Sequence, residues 1–137
     1  MSSQETSSAR FAIPMLVCSD GASEIEFCQR AFGARELARR VAPDGKVVHA
    51  TLQVGNAMVM IHGEFQHLAS RAPEADGSSP VVIYLYVADA DAVVDRAVAN
   101  GARILIPLAN QLWGDRVGRI IDPAGHVWNI ATSLAAP

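Results

Sequence analysis

The sequence predicts an α+β fold built from two tandem βαβββ modules, and three observations predict it. The chain repeats itself: SDGASEIEFCQRAFGAR (19–35) and ADADAVVDRAVANGAR (88–103) both run from an aspartate to Gly-Ala-Arg. Each copy follows an apolar run and is followed by another apolar run and a hairpin pattern. Half of the 137 residues are apolar and 18% are charged, enough for one domain with a buried core.

The elements follow in order. Residues 1–10, polar and short, predict a disordered tail. The first module covers 11–65. IPMLVC (13–18) is its first strand. Asp20 is a candidate N-cap, because a carboxylate accepts the unpaired amides of a first helical turn. Ile25, Cys28 and Phe32 recur at helical spacing, and Gly33 is a natural stop. RELARRVA (35–42) reads as the next strand. Pro43-Asp44-Gly45 turns into a hairpin over KVVHATLQVGNAMVMIH (46–62). Residues 66–80, rich in Ala, Ser, Pro and Gly, read as a linker with no element of its own. The second module covers 81–134: VVIYLYV (81–87), a helix after Asp89 with Ala90, Val94, Ala97 and Val98 on one face, a stop at Gly101, ARILIPL (102–108), and the hairpin RVGRIIDPAGHVWNIA (116–131).

Composition excludes several classes of function. The net charge is −3 with no basic cluster, which argues against nucleic acid and anionic membranes as partners. No apolar run approaches the ~20 residues of a membrane helix. MSSQETSSAR lacks the apolar core of a secretory signal, and Cys18 and Cys28 make no disulfide framework, so a cytoplasmic protein with reduced, buried thiols is expected.

With these motifs placed, the sequence resembles the vicinal-oxygen-chelate superfamily of glyoxalases, extradiol dioxygenases and bleomycin- or fosfomycin-resistance proteins. The residues that carry the likeness are Asp20…Phe27 and Phe32-Gly33-Ala34 in the first module. In the second they are Val87-Ala88-Asp89-Ala90-Asp91, Gly101-Ala102, Trp113-Gly114-Asp115-Arg116 and Asp122-Pro123-Ala124-Gly125-His126. The resemblance spans about residues 11–132. It implies sheets that curl into a cleft, and a homodimer.

Strand alternation assigns the faces. Val82, Tyr84 and Tyr86 form the set expected in the cleft, and Ile83, Leu85 and Val87 the set packed on the helix. The resemblance places a metal-binding glutamate at the position of Asn129. That puts Val127, Asn129 and Ala131 in the cleft with Arg119 and Ile121, and turns Trp128 into the core. Aligning Gly55 with Gly125 sets His49, among Val47 and Thr51, opposite Arg119 across the internal twofold. Asp122 and Gly125 are expected only to make a turn, and His126 to be structural. Trp113 and Arg116 are expected on a loop overhanging a ligand.

The metal positions implied by the resemblance are Ile13, about Val59, Val82 and Asn129, of which three cannot bind a metal. The expected cleft therefore has no metal and no other cofactor. A divalent ion on other donors remains the alternative, with His49, His62, Glu64 and His67 as candidates. Met15, Ile61, Tyr84, Tyr86 and Trp113 offer apolar and aromatic contact. Thr51, Arg116, Asn129, His49 and Arg119 offer polar groups. The leading expectation is a protein that binds a small organic molecule, sequestering it without chemistry. The second is a lyase, isomerase or dioxygenase of the same superfamily acting on a small carbonyl or aromatic substrate, with or without a divalent metal; a metal-free isomerase or lyase would use His49 as base, with Arg119 and Tyr84 stabilising negative charge. Arg119 pairing with Asp115 or Glu64 is the structural alternative.

Overall fold

The computed structural model describes residues 8–74 and 76–135. The tail expected at 1–10 falls mostly outside the described residues. The element order is β1 (Met15–Cys18), α1 (Gly21–Phe32), β2 (Arg35–Val41), β3 (Val47–Val54), β4 (Ala57–Gly63), then β5 (Val82–Tyr86), α2 (Ala90–Ala99), β6 (Arg103–Asn110), β7 (Asp115–Ile121) and β8 (Val127–Ser133). Each module is a four-stranded mixed sheet, ordered β1-β4-β3-β2 and β5-β8-β7-β6, with its first strand parallel to its last. The two βαβββ modules are those the repeat predicts.

Local chemistry sets the helix limits. Asp20 accepts from the Ser23 amide at 3.1 Å, and Asp89 from Ala92 at 3.1 Å, so each carboxylate caps a first turn. Gly33 ends α1 in the left-handed region at φ 68°, where only glycine escapes a Cβ penalty. α2 ends on Asn100, one residue before the glycine that the sequence suggested. Gly118 has another role. A Cβ there would lie 3.0 Å from the backbone of Ile106 and Leu108, so its absence lets irregular β6 pass close to β7.

One core serves both modules. Ile25, Cys28, Leu52 and Ile61 from the first join Val94, Ala97, Trp128 and Ile130 from the second. Helices α1 and α2 pack on one another, and no strand of one sheet pairs with the other among the described residues. Ile83, Leu85 and Val87 pack against this core, as alternation predicts. Trp128 is fully buried, with its ring centroid 4.7 Å from that of Phe32. Val98 instead stands exposed and Val93 is buried, because the buried stripe runs Ala90, Val93, Val94, Ala97 and Val98 falls beside it.

Asp122 does more than make a turn. It is buried, accepts from the Ala124 and His126 amides through Oδ1, and accepts the Trp128 indole N–H at 2.9 Å through Oδ2. Beside it lies Glu24 of α1, also buried, with no hydrogen bond of ordinary geometry to either oxygen. Burial, and then the Asp122 carboxylate, raise the Glu24 pKa well above the usual range, which favours its neutral form. His126 lies 2.8 Å from the Val17 carbonyl and 3.8 Å from Cys18 Sγ, tying the second hairpin to β1. Both cysteines are free, and burial pushes their thiols far above ordinary values, which leaves them inert. No described helix is long and apolar enough to cross a membrane.

Residues 66–80 are less plain than their composition suggests. A short 3-10 turn spans Gln66–Leu68 inside a Phe65–Ser70 bridge. Further on, Pro73 abuts Gly125 and Gly77 abuts Leu105, so the linker lies against the second sheet.

Candidate functional site

The sheet faces turned away from the helices carry the candidate site. Pairing registers define the internal twofold. Met15 pairs with Met60 and Met60 with Thr51, while Tyr84 pairs with Asn129 and Asn129 with Arg119. Counting back from the caps Asp20 and Asp89 makes Met15 equivalent to Tyr84. Hence Met60 matches Asn129, and Thr51 matches Arg119. His49 therefore matches Val117, not Arg119. The glycine alignment fails because the two hairpins turn differently: Val54 faces Ala57 across a tight turn, whereas Ile121 faces Val127 across a longer one.

On the second module Arg119 Nε donates to Asn129 Oδ1 at 2.7 Å, so its partner is neither Asp115 nor Glu64. Tyr84 stands beside this pair on β5. Its hydroxyl donates to Asp115 Oδ2 at 2.5 Å, and the Tyr86 hydroxyl to the same oxygen at 2.7 Å. The Trp113 indole N–H donates to the Tyr84 hydroxyl at 3.2 Å from the loop before β7. The hydrogen bonds from Tyr84 and then Tyr86 hold the Asp115 carboxyl below its usual range, and the same carboxylate pushes the Tyr86 phenol up to about 12. Ile121, Val127 and Ala131 share this face but are buried.

On the first module the face carries Met15, Met58, Met60, Thr51, His49 and His62. His62 lies within β4, directly opposite His49. The two imidazole centroids are 6.1 Å apart. Burial lowers the His49 pKa, and His62 and Arg40 add to the effect, so His49 is neutral at pH 7. Val47, Val59 and Ile61 belong to the core and not to the cleft. A register shift at the start of β3 turns Val47 inward, while Val59 and Ile61 alternate with the methionines of β4.

Arg116 is also elsewhere. It sits in β7 on the helix side, with two hydrogen bonds to Asp91 of α2 at 2.8 and 2.9 Å and one to Asn110. Alternation places it opposite in sense to Asp115 and Arg119, a parity that the loop reading of 113–116 could not register. Between edge strands β1 and β5 lies a cavity of about 730 Å³, walled by Met15, Val17, Val82 and Val127 and by Arg71 and Pro73 of the linker.

The positions that the resemblance gives to a metal do not fit one. Met60, not Val59, is the cleft residue on β4, and Tyr84, not Val82, pairs with Asn129. Thioether, phenol and carboxamide are a poor set for a divalent cation. The carboxamide oxygen already accepts from a guanidinium, whose charge opposes a second cation. Among the described residues no three His, Cys, Asp or Glu side chains converge as a metal cluster.

Comparison with known proteins fits this geometry. Curated uncharacterized proteins of Mycobacterium tuberculosis and Mycobacterium bovis are each 42% identical over 120 residues, which cover 85% of this chain and 71% and 79% of theirs. Among solved structures, TioX from Micromonospora sp. ML1 is 29% identical with a TM-score of 0.71, over 92% of this chain and 100% of that one. The fosfomycin resistance protein FosX from Mesorhizobium loti shares the fold at 17% identity and a TM-score of 0.63, over 90% and 92%. The model of the Glyoxalase/Bleomycin resistance protein/Dioxygenase superfamily matches residues 10–130. With two βαβββ modules, a shared helix-side core and a match over nearly its whole length, the chain belongs to that superfamily.

Proposed function

We propose that this protein binds a small organic molecule in the cleft of its two modules, without a metal or other cofactor and without transforming the ligand. The observation that carries this reading is the Arg119–Asn129 pair. It sets a guanidinium against Asn129, the residue at the position where the superfamily resemblance calls for a metal ligand. Nε is spent on Asn129, and the terminal nitrogens meet no side chain among the described residues, so they are free to donate to a carboxylate or carbonyl. Tyr84, paired with Asn129, and Trp113 against the Tyr84 hydroxyl supply apolar contact on the same face. The protein works as a homodimer in the cytoplasm. Exposed Leu37 and Val41 on β2 and Ile104 and Ile106 on β6 support association, and two unpaired thiols support a reducing compartment.

Titration with salicylate, a planar carboxylate, followed through Trp113 fluorescence tests the reading. Saturable binding is expected, weakened roughly 10- to 100-fold by Arg119→Met through loss of charge-assisted hydrogen bonds. Affinity untouched by that change refutes it. One observation favours an enzyme instead: His49 is neutral at pH 7 on the cleft face and able to take a proton. Turnover of a cleft ligand, abolished by His49→Ala with affinity intact, would establish that second reading.

A further inference from the structure

Asp115 is an acid without a counter-ion. It is 5% exposed, and no described arginine, lysine or histidine forms a salt bridge with it. Both tyrosine hydroxyls go to Oδ2, and Oδ1 accepts from no described side chain. The nearest arginines along β7 are committed elsewhere, Arg116 to Asp91 on the opposite face and Arg119 to Asn129. Among the described residues the negative charge is met only by the phenol hydroxyls and by no basic side chain.

Next to it stand three aromatic side chains that the fold leaves in water. Tyr86 is 58% and Trp113 66% exposed, and Tyr84 is 39% exposed. The two phenol rings lie 5.2 Å apart at 41°, so they form an angled wall and not a stack. Strand β8 runs between β5 and β7 and presents only small side chains there. Ala131 pairs with Tyr86 and Ser133 with Asp115. None of these rings is needed to fill the core.

A carboxylate at the hydroxyl ends of exposed aromatic rings favours positive charge beside those rings, through its own field and through the quadrupole of each ring. A bare metal ion is a poor occupant, since one carboxylate and two neutral phenols supply too few anionic donors. An alkylated ammonium suits the site, because it needs few hydrogen bonds and gains from aromatic contact. We propose that Tyr84, Tyr86 and Trp113, standing next to Asp115, form a subsite for the alkylammonium end of an organic ligand. This rests on the cleft-binding reading and names one end of the molecule, while Arg119 addresses the other.

The test uses choline and its neutral carbon isostere, 3,3-dimethyl-1-butanol, titrated into the full chain. The readout is the Trp113 indole resonance, distinct from that of fully buried Trp128. Choline is expected to shift it saturably and to bind about fivefold more tightly than the isostere, the size of a typical cation–π and charge contribution. Asp115→Asn keeps an acceptor for the tyrosines and is expected to bring that ratio close to one. Should Asp115→Asn fail to fold, Tyr86→Leu, at an exposed position, is expected to weaken choline about fivefold. Equal affinity for the two probes, or an unchanged ratio in Asp115→Asn, overturns the proposal. Absence of choline binding while salicylate still binds through Arg119 overturns the ammonium subsite alone. Choline binding without any salicylate binding upholds the subsite and overturns the Arg119 reading.

Discussion

The two modules share a backbone plan and differ in only one of their faces. Toward the helices the equivalent positions stay apolar: Leu16 and Leu85, Ile25 and Val94, Ile61 and Ile130. Toward the cleft they diverge. Met15, Val17, Thr51 and Met60 in the first module stand where the second has Tyr84, Tyr86, Arg119 and Asn129. The first face gathers imidazoles and thioethers, and the second phenols, an acid and a guanidinium. Burial constrains the helix side, where any lost volume or stranded charge costs stability, and leaves the cleft side free to acquire chemistry. One core position breaks the rule. Glu24 stands where the second module has Val93, and it meets Asp122 across the module boundary.

The largest expected effect attacks the core match. Trp128 corresponds to Val59, yet it bridges to Phe32 and Asp122. Trp128→Ala is expected to cost about 3–5 kcal/mol in urea unfolding, as aromatic-to-alanine core changes do. A loss below about 1 kcal/mol would mean that the shared core is not shared.

Next is the exception at Glu24. Its folded pKa is raised, so its contribution is full below the unfolded pKa near ~4.3 and is lost as pH rises through the folded value. Wild-type stability is expected to fall as pH rises above the unfolded pKa, by at most about 1.4 kcal/mol per pH unit from this group. Glu24→Gln should flatten that fall, so the variant's relative gain grows with pH. Parallel wild-type and Gln profiles in chemical unfolding would remove the buried acid from the account.

Smaller effects sharpen the difference between cleft faces. His49→Ala is expected to change salicylate affinity less than about threefold, because a neutral imidazole contributes at most one ordinary hydrogen bond. An effect as large as that of Arg119→Met would place both modules on one ligand. Arg116→Ala should leave choline and salicylate titrations unchanged, since its guanidinium is held by Asp91 on the helix side. A clear loss in either titration would put Arg116 back over the cleft.

Much of the fold was legible in the chain because local chemistry repeats. The Asp20 and Asp89 caps, the Gly33 stop and the parity of Ile83 and Leu85 each follow from a few neighbouring residues, while the inward face of Trp128 followed from the resemblance. Arg119 and Asn129 were placed together by the same parity, counted across one turn. What failed depended on counting through irregularities. The register shift at the start of β3 sent Val47 inward, and the unequal hairpins moved His49 two places off its expected counterpart. Arg116 was misplaced by treating the first residues of β7 as loop.

By itself the sequence determined the two modules, their helix limits, the core faces and the superfamily, because each is encoded by short-range spacing of apolar, capping and turn residues. Only the tertiary structure decided what lies across from what. Asp115 is remote in sequence from Tyr84 and Tyr86, and Glu24 from Asp122, and their meetings depend on how strands and modules pack. A side chain's charge state and partner are properties of that packing, since burial and distance, not order along the chain, set the electrostatic energy.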